Sequence, residues 1–130
     1  MTADAITFLM PPGPGEARPF SRAVKAGGMV YVSGHSAPHD PARGIHRGDT
    51  AAEQVRNALA YVRTILQAAG SDLDHVVQVT MLITDPADYA ACNAEYVQHF
   101  PQGLPARHTA RFGVPTEAKV AFACIALTSD

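Results

Sequence analysis

Charge is scarce in this 130-residue sequence, and neither sign dominates it. Ten Lys and Arg residues stand against 12 Asp and Glu residues, which gives a formal net charge of −2 at pH 7. Proteins that bind nucleic acid or a membrane surface usually carry a basic patch, so we expect neither partner here. Hydrophobic residues make up 47% of the chain, a share typical of a globular protein. The length predicts one domain that spans residues 1–130.

Cysteines and long apolar runs are also scarce. The two cysteines, Cys92 and Cys124, lie on segments with a helix pattern and a buried-strand pattern, so we expect reduced core thiols rather than a disulfide. The first residues, MTADAITFLMPPGPG, contain no basic stretch and only a short apolar start, AITFLM, before the prolines. This start predicts neither a signal peptide nor a membrane span, and the expected location is the cytoplasm.

Motifs for phosphate, metal or serine-hydrolase chemistry are missing as well. The stretch PPGPG lacks the Lys-Ser/Thr pair of a phosphate-binding loop. His35 and His39 have a spacing that would suit a metal only on a helix, but Pro38 and Pro41 predict a loop there. Ser33 precedes GHS, which lacks the G-x-S-x-G elbow of a serine hydrolase. We therefore expect no metal and no cofactor.

Strand and helix patterns follow one another in the order β-β-(β)-α-β-α-β-β. Residues 1–17 are expected to form an N-terminal strand and a Pro/Gly loop. Residues 20–37 predict two short strands joined at Gly27-Gly28, because glycines can adopt the positive φ angles of a tight hairpin. The turn-rich residues 39–49 leave room for only a brief edge strand, at residues 44–47, and apolar residues predict three longer strands, at residues 75–85, 106–114 and 119–128. In the strand at residues 75–85, one face is expected to carry Val77, Val79, Met81 and Ile83.

Two helices are predicted between these strands. In the first, at residues 49–70, Thr50 and Glu53 form a capping-box pattern and Gly70 is typical of a helix end. The second helix, at residues 86–100, begins after Asp85 with a proline in its first turn. Its inward face is expected to carry Tyr89, Cys92, Tyr96 and Phe100.

These elements predict an α+β fold, a mixed sheet with both helices on one face. The last strand is apolar on both faces, since Val120, Phe122 and Cys124 alternate with Ala121, Ala123 and Ile125. Helices on one side leave the other face of the sheet uncovered. Self-association is the simplest cover, so we expect a homo-oligomer.

Arg107 is the strongest candidate for a binding residue in the sequence. It follows Pro105 and opens a predicted strand. An arginine in this place can be a solvated charge at a sheet edge, or it can bind a carboxylate through its planar guanidinium. The residue pattern alone leaves both interpretations open.

Four segments resemble the Rid family of reactive-intermediate deaminases, also called the YjgF or L-PSP endoribonuclease family. They are VYVSG, AAGSDLDHVVQVTMLITD, the N-x-x-Y of Asn93 and Tyr96, and PAR, and the likeness runs from Arg18 to Leu127. The resemblance implies a chorismate-mutase-like fold, assembled as a homotrimer whose sheets form a central barrel. It also implies hydrolysis of enamines or imines that carry a carboxylate, releasing ammonia, in clefts between subunits.

The resemblance assigns roles to individual residues. Arg107 matches the arginine that holds the substrate carboxylate, Ser33 and Gly34 match the strand that lines the pocket, and Asn93 and Thr109 match two further pocket positions. Phe20 stands where the family has a tyrosine, and Ala121 takes the place of a glutamate thought to activate water, so both would line the pocket here. Ala123 replaces a second acid, and His35 replaces the usual glutamine.

The missing glutamate leaves the proton-transfer group open. His35 is the first candidate because it follows the pocket strand and titrates near neutral pH, and His108 and Glu117 are the alternatives. His108 should face away from Arg107 on the strand. The leading hypothesis is thus an enamine/imine deaminase with Arg107 and His35 as catalytic residues and a substrate larger or less polar than 2-aminoacrylate. A non-catalytic carboxylate-binding protein is the alternative, while the acidic balance weighs against ribonuclease activity.

Overall fold

The computed structural model describes residues 5–13 and 16–129, and in them one mixed sheet carries two α-helices. The strands are β1 Thr7–Leu9, β2 Ala23–Ala26, β3 Met29–Ser36, β4 Val76–Ile83, β5 Ala106–Arg111 and β6 Val120–Leu127. The helices are α1 Ala51–Ala68 and α2 Tyr89–Tyr96. Across the sheet the strands follow the order β1-β2-β3-β6-β4-β5. Only β4 and β5 run parallel, so β5 is a parallel edge strand on an otherwise antiparallel sheet.

The N-terminal half contains a confirmed hairpin and one wrong prediction. Gly27 and Gly28 have φ angles of 59° and 78°, which are the positive values that a tight β2–β3 turn needs. No strand forms at residues 44–47. Instead a 3₁₀ turn covers Pro41–Arg43, Gly44 is left-handed with φ 75°, and a single bridge joins Asp40 to Ile45. The proline and the left-handed glycine close a turn there before an extended segment can form. The N-terminal strand is confirmed only over β1, and residues 1–4 and 14–15 lie outside the described residues.

Helix α1 has the ends that its sequence predicts. The side chain of Thr50 accepts a hydrogen bond from Glu53 N, and Glu53 Oε1 accepts one from Thr50 N at 3.1 Å. At the other end Gly70 has φ 81°, and Ser71 N donates to the carbonyl of Leu66 at 2.9 Å. This is a Schellman motif, which satisfies carbonyls that the helix end would leave unpaired. The buried face of the helix is formed by Ala51, Gln54, Val55, Ala58, Leu59, Val62, Ile65 and Leu66.

The second helical segment is broken into three pieces. Asp85 caps a 3₁₀ turn at Pro86–Asp88, α2 follows, and a second 3₁₀ turn covers Val97–His99. Cys92, Tyr96 and Phe100 are buried as predicted, but the prediction for Tyr89 is wrong, since 45% of this residue is exposed. Tyr89 faces the edge strand β5, beyond which no further strand is described that could cover its ring.

A bulge in β4 explains a second difference from the expected pattern. Val79, Met81 and Ile83 are buried, whereas 43% of Val77 is exposed. Val76 pairs with Ala126 and Gln78 with Ile125, so the extra residue at Val77 interrupts the alternation of faces. The predicted strand face therefore holds only from Val79 onward.

Both helices pack on one face of the sheet, as predicted. Helix α1 contacts β3 and β6, and the Tyr96 ring of α2 stacks on Phe122 of β6 with centroids 5.9 Å apart. Cys92 and Cys124 are buried free thiols, as expected. The opposite face carries Tyr31, Thr80 and Ile125 and is not covered by any helix described here. No helix in the described part of the chain is long and apolar enough to cross a membrane.

Candidate functional site

The strand order separates the predicted site residues into two groups. Phe20, Ser33, Gly34 and His35 lie on or beside β3, while Asn93, Arg107 and Thr109 lie on α2 and β5. Strands β6 and β4 run between β3 and β5. Neighbouring strands are about 4.8 Å apart, which puts β3 and β5 roughly 14 Å apart across the sheet. A single chain therefore does not bring Arg107 and His35 together.

Arg107 lies on the helix side of the edge strand. It pairs with Val79 of β4, whose side chain is in the core, and its guanidinium carbon is 4.7 Å from the centroid of the Tyr96 ring. Its Nη2 donates to the Tyr89 hydroxyl at 3.4 Å, and the same guanidinium carbon lies 5.9 Å from that ring. Among the described residues no carboxylate lies within 4 Å of it. Arg107 is thus a half-buried cation held by aromatic rings rather than by an acid.

Polar oxygens without partners lie on the helix beside Arg107. Asn93 comes four residues after Tyr89 and three before Tyr96, so these side chains share a face of α2. Asn93 Oδ1 and the Tyr96 hydroxyl are both buried and have no hydrogen-bond partner in the described structure. Burial raises the pKa of Tyr96 to about 12, although Arg107 acts in the opposite direction. Thr109 is half-buried and lies two residues from Arg107 on the same face of β5.

The second group surrounds a cleft of about 420 Å³. Phe20, Gly34 and His35 line it together with Arg18, Ser36, Ala37, Pro38, His39, Arg47, Tyr61, Thr116 and Ala118. Phe20 is 44% exposed. A β-carbon placed on Gly34 would meet no atom within 4 Å, so this glycine leaves open space in the cleft wall. The Ser33 hydroxyl donates to the carbonyl of Ser21 at 2.7 Å, which fixes the segment that carries Phe20 against β3.

A bulge in β3 turns His35 toward the helices. Val32 pairs with Cys124 and His35 pairs with Phe122, so β3 advances three residues while β6 advances two. The extra residue lets His35 share a face with Phe122, where its ring meets Tyr61 edge-on at 5.4 Å and only 8% of the residue is exposed. The sequence alternation did not predict this orientation, because a bulge is set by pairing with a distant strand.

The surroundings of His35 favour its neutral form. Nε2 lies 3.2 Å from the carbonyl oxygen of Arg22, which can only accept, so Nε2 carries the hydrogen of a neutral ring and Nδ1 keeps its lone pair. Burial lowers the pKa of His35, the charges of Arg22 and Arg18 lower it further, and the bond to the Arg22 carbonyl opposes them. A neutral imidazole with a free lone pair is suited to accept a proton from water.

The remaining candidates occupy different places. Ala121 pairs with Ser36 of the cleft wall and is 2% exposed, while Ala123 lies beside Thr80 on the open face. His108 is hydrogen-bonded to Thr80 Oγ1 at 2.8 Å on that open face, away from Arg107 as predicted. Glu117 stands at the rim of the cleft with 89% of its side chain exposed. The described residues contain no cluster of three or more His, Cys, Asp or Glu residues that could hold a metal ion.

Residues 12–128 match the sequence model of the family described as Endoribonuclease L-PSP. The chain belongs to this family. It is 40% identical over 94 residues to the RutC family protein y4sK of Sinorhizobium fredii, a match that covers 72% of this chain and 74% of the relative. It is 36% identical over 112 residues to the mitochondrial protein mmf2 of Schizosaccharomyces pombe, covering 83% and 86% of the two chains.

Solved structures of the L-PSP family share the fold. The chain superposes with a TM-score of 0.80 on NMB1025, a YjgF family protein of Neisseria meningitidis, at 28% identity and over 98% of both chains. It superposes with a TM-score of 0.77 on the YjgF gene product of E. coli, at 28% identity and over 93% and 98% of the two chains. These likenesses confirm the family resemblance and the chorismate-mutase-like α+β fold.

In this L-PSP family member, the sequence did not predict several of the residues that line the cleft beside His35 or contact Arg107. Arg18, Arg47 and Tyr61 line the cleft, and Tyr89 and Tyr96 hold Arg107. The spacing of Tyr89, Asn93 and Tyr96 on one helix face was a usable signal. Arg18 and Arg47 lie in irregular segments, whose packing no local periodicity reveals.

Proposed function

We propose that this protein is a hydrolytic deaminase for enamines or imines that carry a carboxylate. Its family membership is consistent with this chemistry. Arg107 would bind the substrate carboxylate and His35 would activate water. The proposal includes assembly as a homotrimer with sites between subunits, because β6 and β4 separate the two groups of site residues within one chain and a second copy is needed to join them.

The environment of Arg107 is the observation that carries this proposal. A structural arginine in a half-buried place normally pairs with a carboxylate, since an unpaired charge is costly to bury. Arg107 is instead held in place by Tyr89 and Tyr96 and is left without an acidic partner among the described residues. A guanidinium oriented in this way retains N–H donors that suit a substrate carboxylate.

In the proposed reaction, His35 transfers protons and Arg107 positions the substrate. An enamine tautomerises to an imine, water adds to the imine carbon, and the carbon–nitrogen bond of the resulting carbinolamine breaks to give a carbonyl product and ammonia. His35 Nδ1 would take a proton from the attacking water and return one to the departing nitrogen, so no other reactant is consumed. Arg107 would hold the carboxylate so that the imine carbon stays in reach of this water.

Turnover of 2-aminoacrylate generated in situ tests the proposal. We expect the protein to accelerate formation of the 2-oxoacid, and Arg107→Ala to lower kcat/KM about a hundredfold, because a bidentate pair of charged hydrogen bonds is lost. Arg111→Gln is the matched control, since Arg111 is an exposed arginine on the same strand. Arg107→Lys should recover only part of the activity, because an ammonium lacks the planar fork.

A non-catalytic carboxylate-binding protein is the competing function. One observation favours it, since no Asp or Glu lines the cleft in the described structure. If the protein does not accelerate the reaction but calorimetry detects carboxylate binding that Arg107→Ala removes, the deaminase proposal is wrong and the binding function stands.

A further inference from the structure

The cleft beside His35 is basic. Its charged lining residues are Arg18 and Arg47, His35 and His39 lie beside them, and no Asp or Glu is among the lining residues that the structure describes. Arg22 lies close enough for its charge to act on His35 as well. The chain as a whole has a net charge of −2, so the positive charge in this cleft is local. A cleft with one sign of charge attracts ligands of the opposite sign.

The two arginines keep most of their hydrogen-bonding capacity. Arg18 Nη1 donates to Glu16 at 3.1 Å, and Arg47 Nη1 lies 3.7 Å from Glu117, too far for a good hydrogen bond. Neither glutamate lines the cleft. Each guanidinium has five N–H donors, so both can bind a further anion. Their side chains are only 29% and 20% exposed, which limits competition from water.

His39 adds a hydrogen-bond donor at the same place. Its Nδ1 accepts a hydrogen bond from the backbone N–H of Arg47 at 3.3 Å, so the ring hydrogen of the neutral form is on Nε2. This bond also joins the loop that carries His39 to Arg47. Asn57 of α1 donates to the carbonyl of Arg47 at 3.0 Å, which anchors the backbone of that arginine to a rigid helix.

We infer that the cleft is a subsite for a second anionic group, a carboxylate or a phosphate, which Arg18 and Arg47 bind. Combined with the proposed function, on which this step rests, the subsite implies that the substrate of the deaminase is a diacid. One carboxylate would bind Arg107, and the other acidic group would bind in the cleft. It also revises the expectation of a less polar substrate. That expectation considered the apolar residues Phe20, Ala121 and Ala123 but not the cleft arginines Arg18 and Arg47.

Calorimetry with stable small acids tests the subsite without requiring turnover. Pyruvate supplies one carboxylate, 2-oxoglutarate supplies two, and 3-phosphoglycerate supplies a carboxylate and a phosphate. We expect at least one of the two doubly acidic compounds to bind about tenfold more tightly than pyruvate, since each charged hydrogen bond adds about that factor. Which of them binds better identifies the second group as a carboxylate or a phosphate.

Variants at the two arginines give the decisive comparison. Arg47→Gln and Arg18→Gln should each remove about tenfold of the affinity for the doubly acidic compound and leave pyruvate binding unchanged within about twofold. Arg43→Gln is the control, because Arg43 is an exposed arginine of the neighbouring loop that does not line the cleft. Equal binding of all three acids, or equal effects of the three variants, would overturn the subsite. Arg47→Lys keeps the positive charge and should therefore lose less affinity than Arg47→Gln. Equal losses in the two variants would indicate a defect in folding rather than the loss of an anion-binding charge.

The two proposals fail in different ways. Turnover of 2-aminoacrylate without any preference for doubly acidic ligands refutes the subsite and leaves the deaminase intact. Tight binding of a diacid that depends on Arg47, in a protein that hydrolyses no imine, refutes the deaminase and leaves the subsite.

Discussion

Burial and neighbouring cations act on His35 in the same direction. The ring is 8% exposed, and the charges of Arg22 and Arg18 disfavour a second proton on it. A neutral imidazole can accept a proton from water, so this environment favours the base role proposed for His35. The same environment couples this side chain to the stability of the fold.

The pH dependence of unfolding provides a prediction at this scale. The pKa of His35 is lowered in the folded protein, and its ordinary value in the unfolded chain is about 6.5. Below about pH 6.5 the unfolded chain gains a proton that the folded protein resists, so stability falls with pH until the lowered pKa is reached. Urea unfolding between pH 7.5 and pH 5 should show a smaller loss of stability in His35→Gln than in the unaltered protein.

Thr64→Ala is the control for that measurement, because Thr64 is an exposed residue of α1 that carries no titratable group. It should keep the pH slope of the unaltered protein. A slope that His35→Gln leaves unchanged would mean that His35 carries no such coupling.

At the residue scale, the sequence predicted a site residue where a local motif marks it, but not the contacts that distant elements make with it. Arg107 was found from the sequence, because the family motif PAR marks it. Its support by Tyr96 was not, since that ring had been assigned to the core and reaches Arg107 from another element. His35 was found as a candidate, but its position against Tyr61 follows from pairing with β6, which lies about 90 residues further along the chain.

At the scale of whole elements, Gln54 connects α1 to two segments near the cleft. It is 3% exposed, its Nε2 donates to the carbonyl of Gly48 at 2.9 Å, and its Oε1 accepts from Lys119 N at 2.8 Å. The first contact holds the loop that contains Arg47, and the second holds the start of β6 beside Ala118. One buried amide therefore positions two parts of the cleft wall against a rigid helix.

Replacing this amide gives the prediction at the element scale. Gln54→Leu should lower the free energy of unfolding by about 1–3 kcal/mol, because the half-buried carbonyl of Gly48 and the half-buried N–H of Lys119 lose their partner. It should also weaken binding in the cleft. Gln67→Leu on the exposed face of the same helix is the matched control and should change stability by less than about 0.5 kcal/mol. Urea unfolding measures both, and equal losses would show that Gln54 contributes nothing through its hydrogen bonds.

The elements also differ in how far sequence determines them. Helix α1 was predicted with both ends, since its capping box and its C-terminal glycine are local signals. The place of β6 between β3 and β4 was not predicted, because no local signal records which distant strands will pair. The strand expected at residues 44–47 does not form, because Pro41 and Gly44 close a turn there.

At the scale of the whole molecule, the face of the sheet opposite the helices is the main open surface. Tyr31, Thr80, His108, Ala123 and Ile125 surround a hollow of about 290 Å³ on it. Tyr31 is 46% exposed, and Leu127, which lies on the same face of β6 as Ile125, is also 46% exposed. The open face thus combines exposed apolar side chains with polar ones. Such a surface is suited to bind a second copy of the same chain.

A substitution that disrupts this face should separate the copies and lower the activity at the same time. Ile125→Arg places a charge on the open face and is expected to convert the proposed trimer to monomers in sedimentation velocity, whereas Ala68→Arg on the exposed side of α1 should leave the assembly intact. Because β6 and β4 separate Arg107 from His35 within a chain, a folded monomer should also lose turnover by about a hundredfold. A monomeric Ile125→Arg variant that retains full turnover would place the complete site within one chain. That result would exclude a site shared between copies, even if Arg107 and His35 each proved essential.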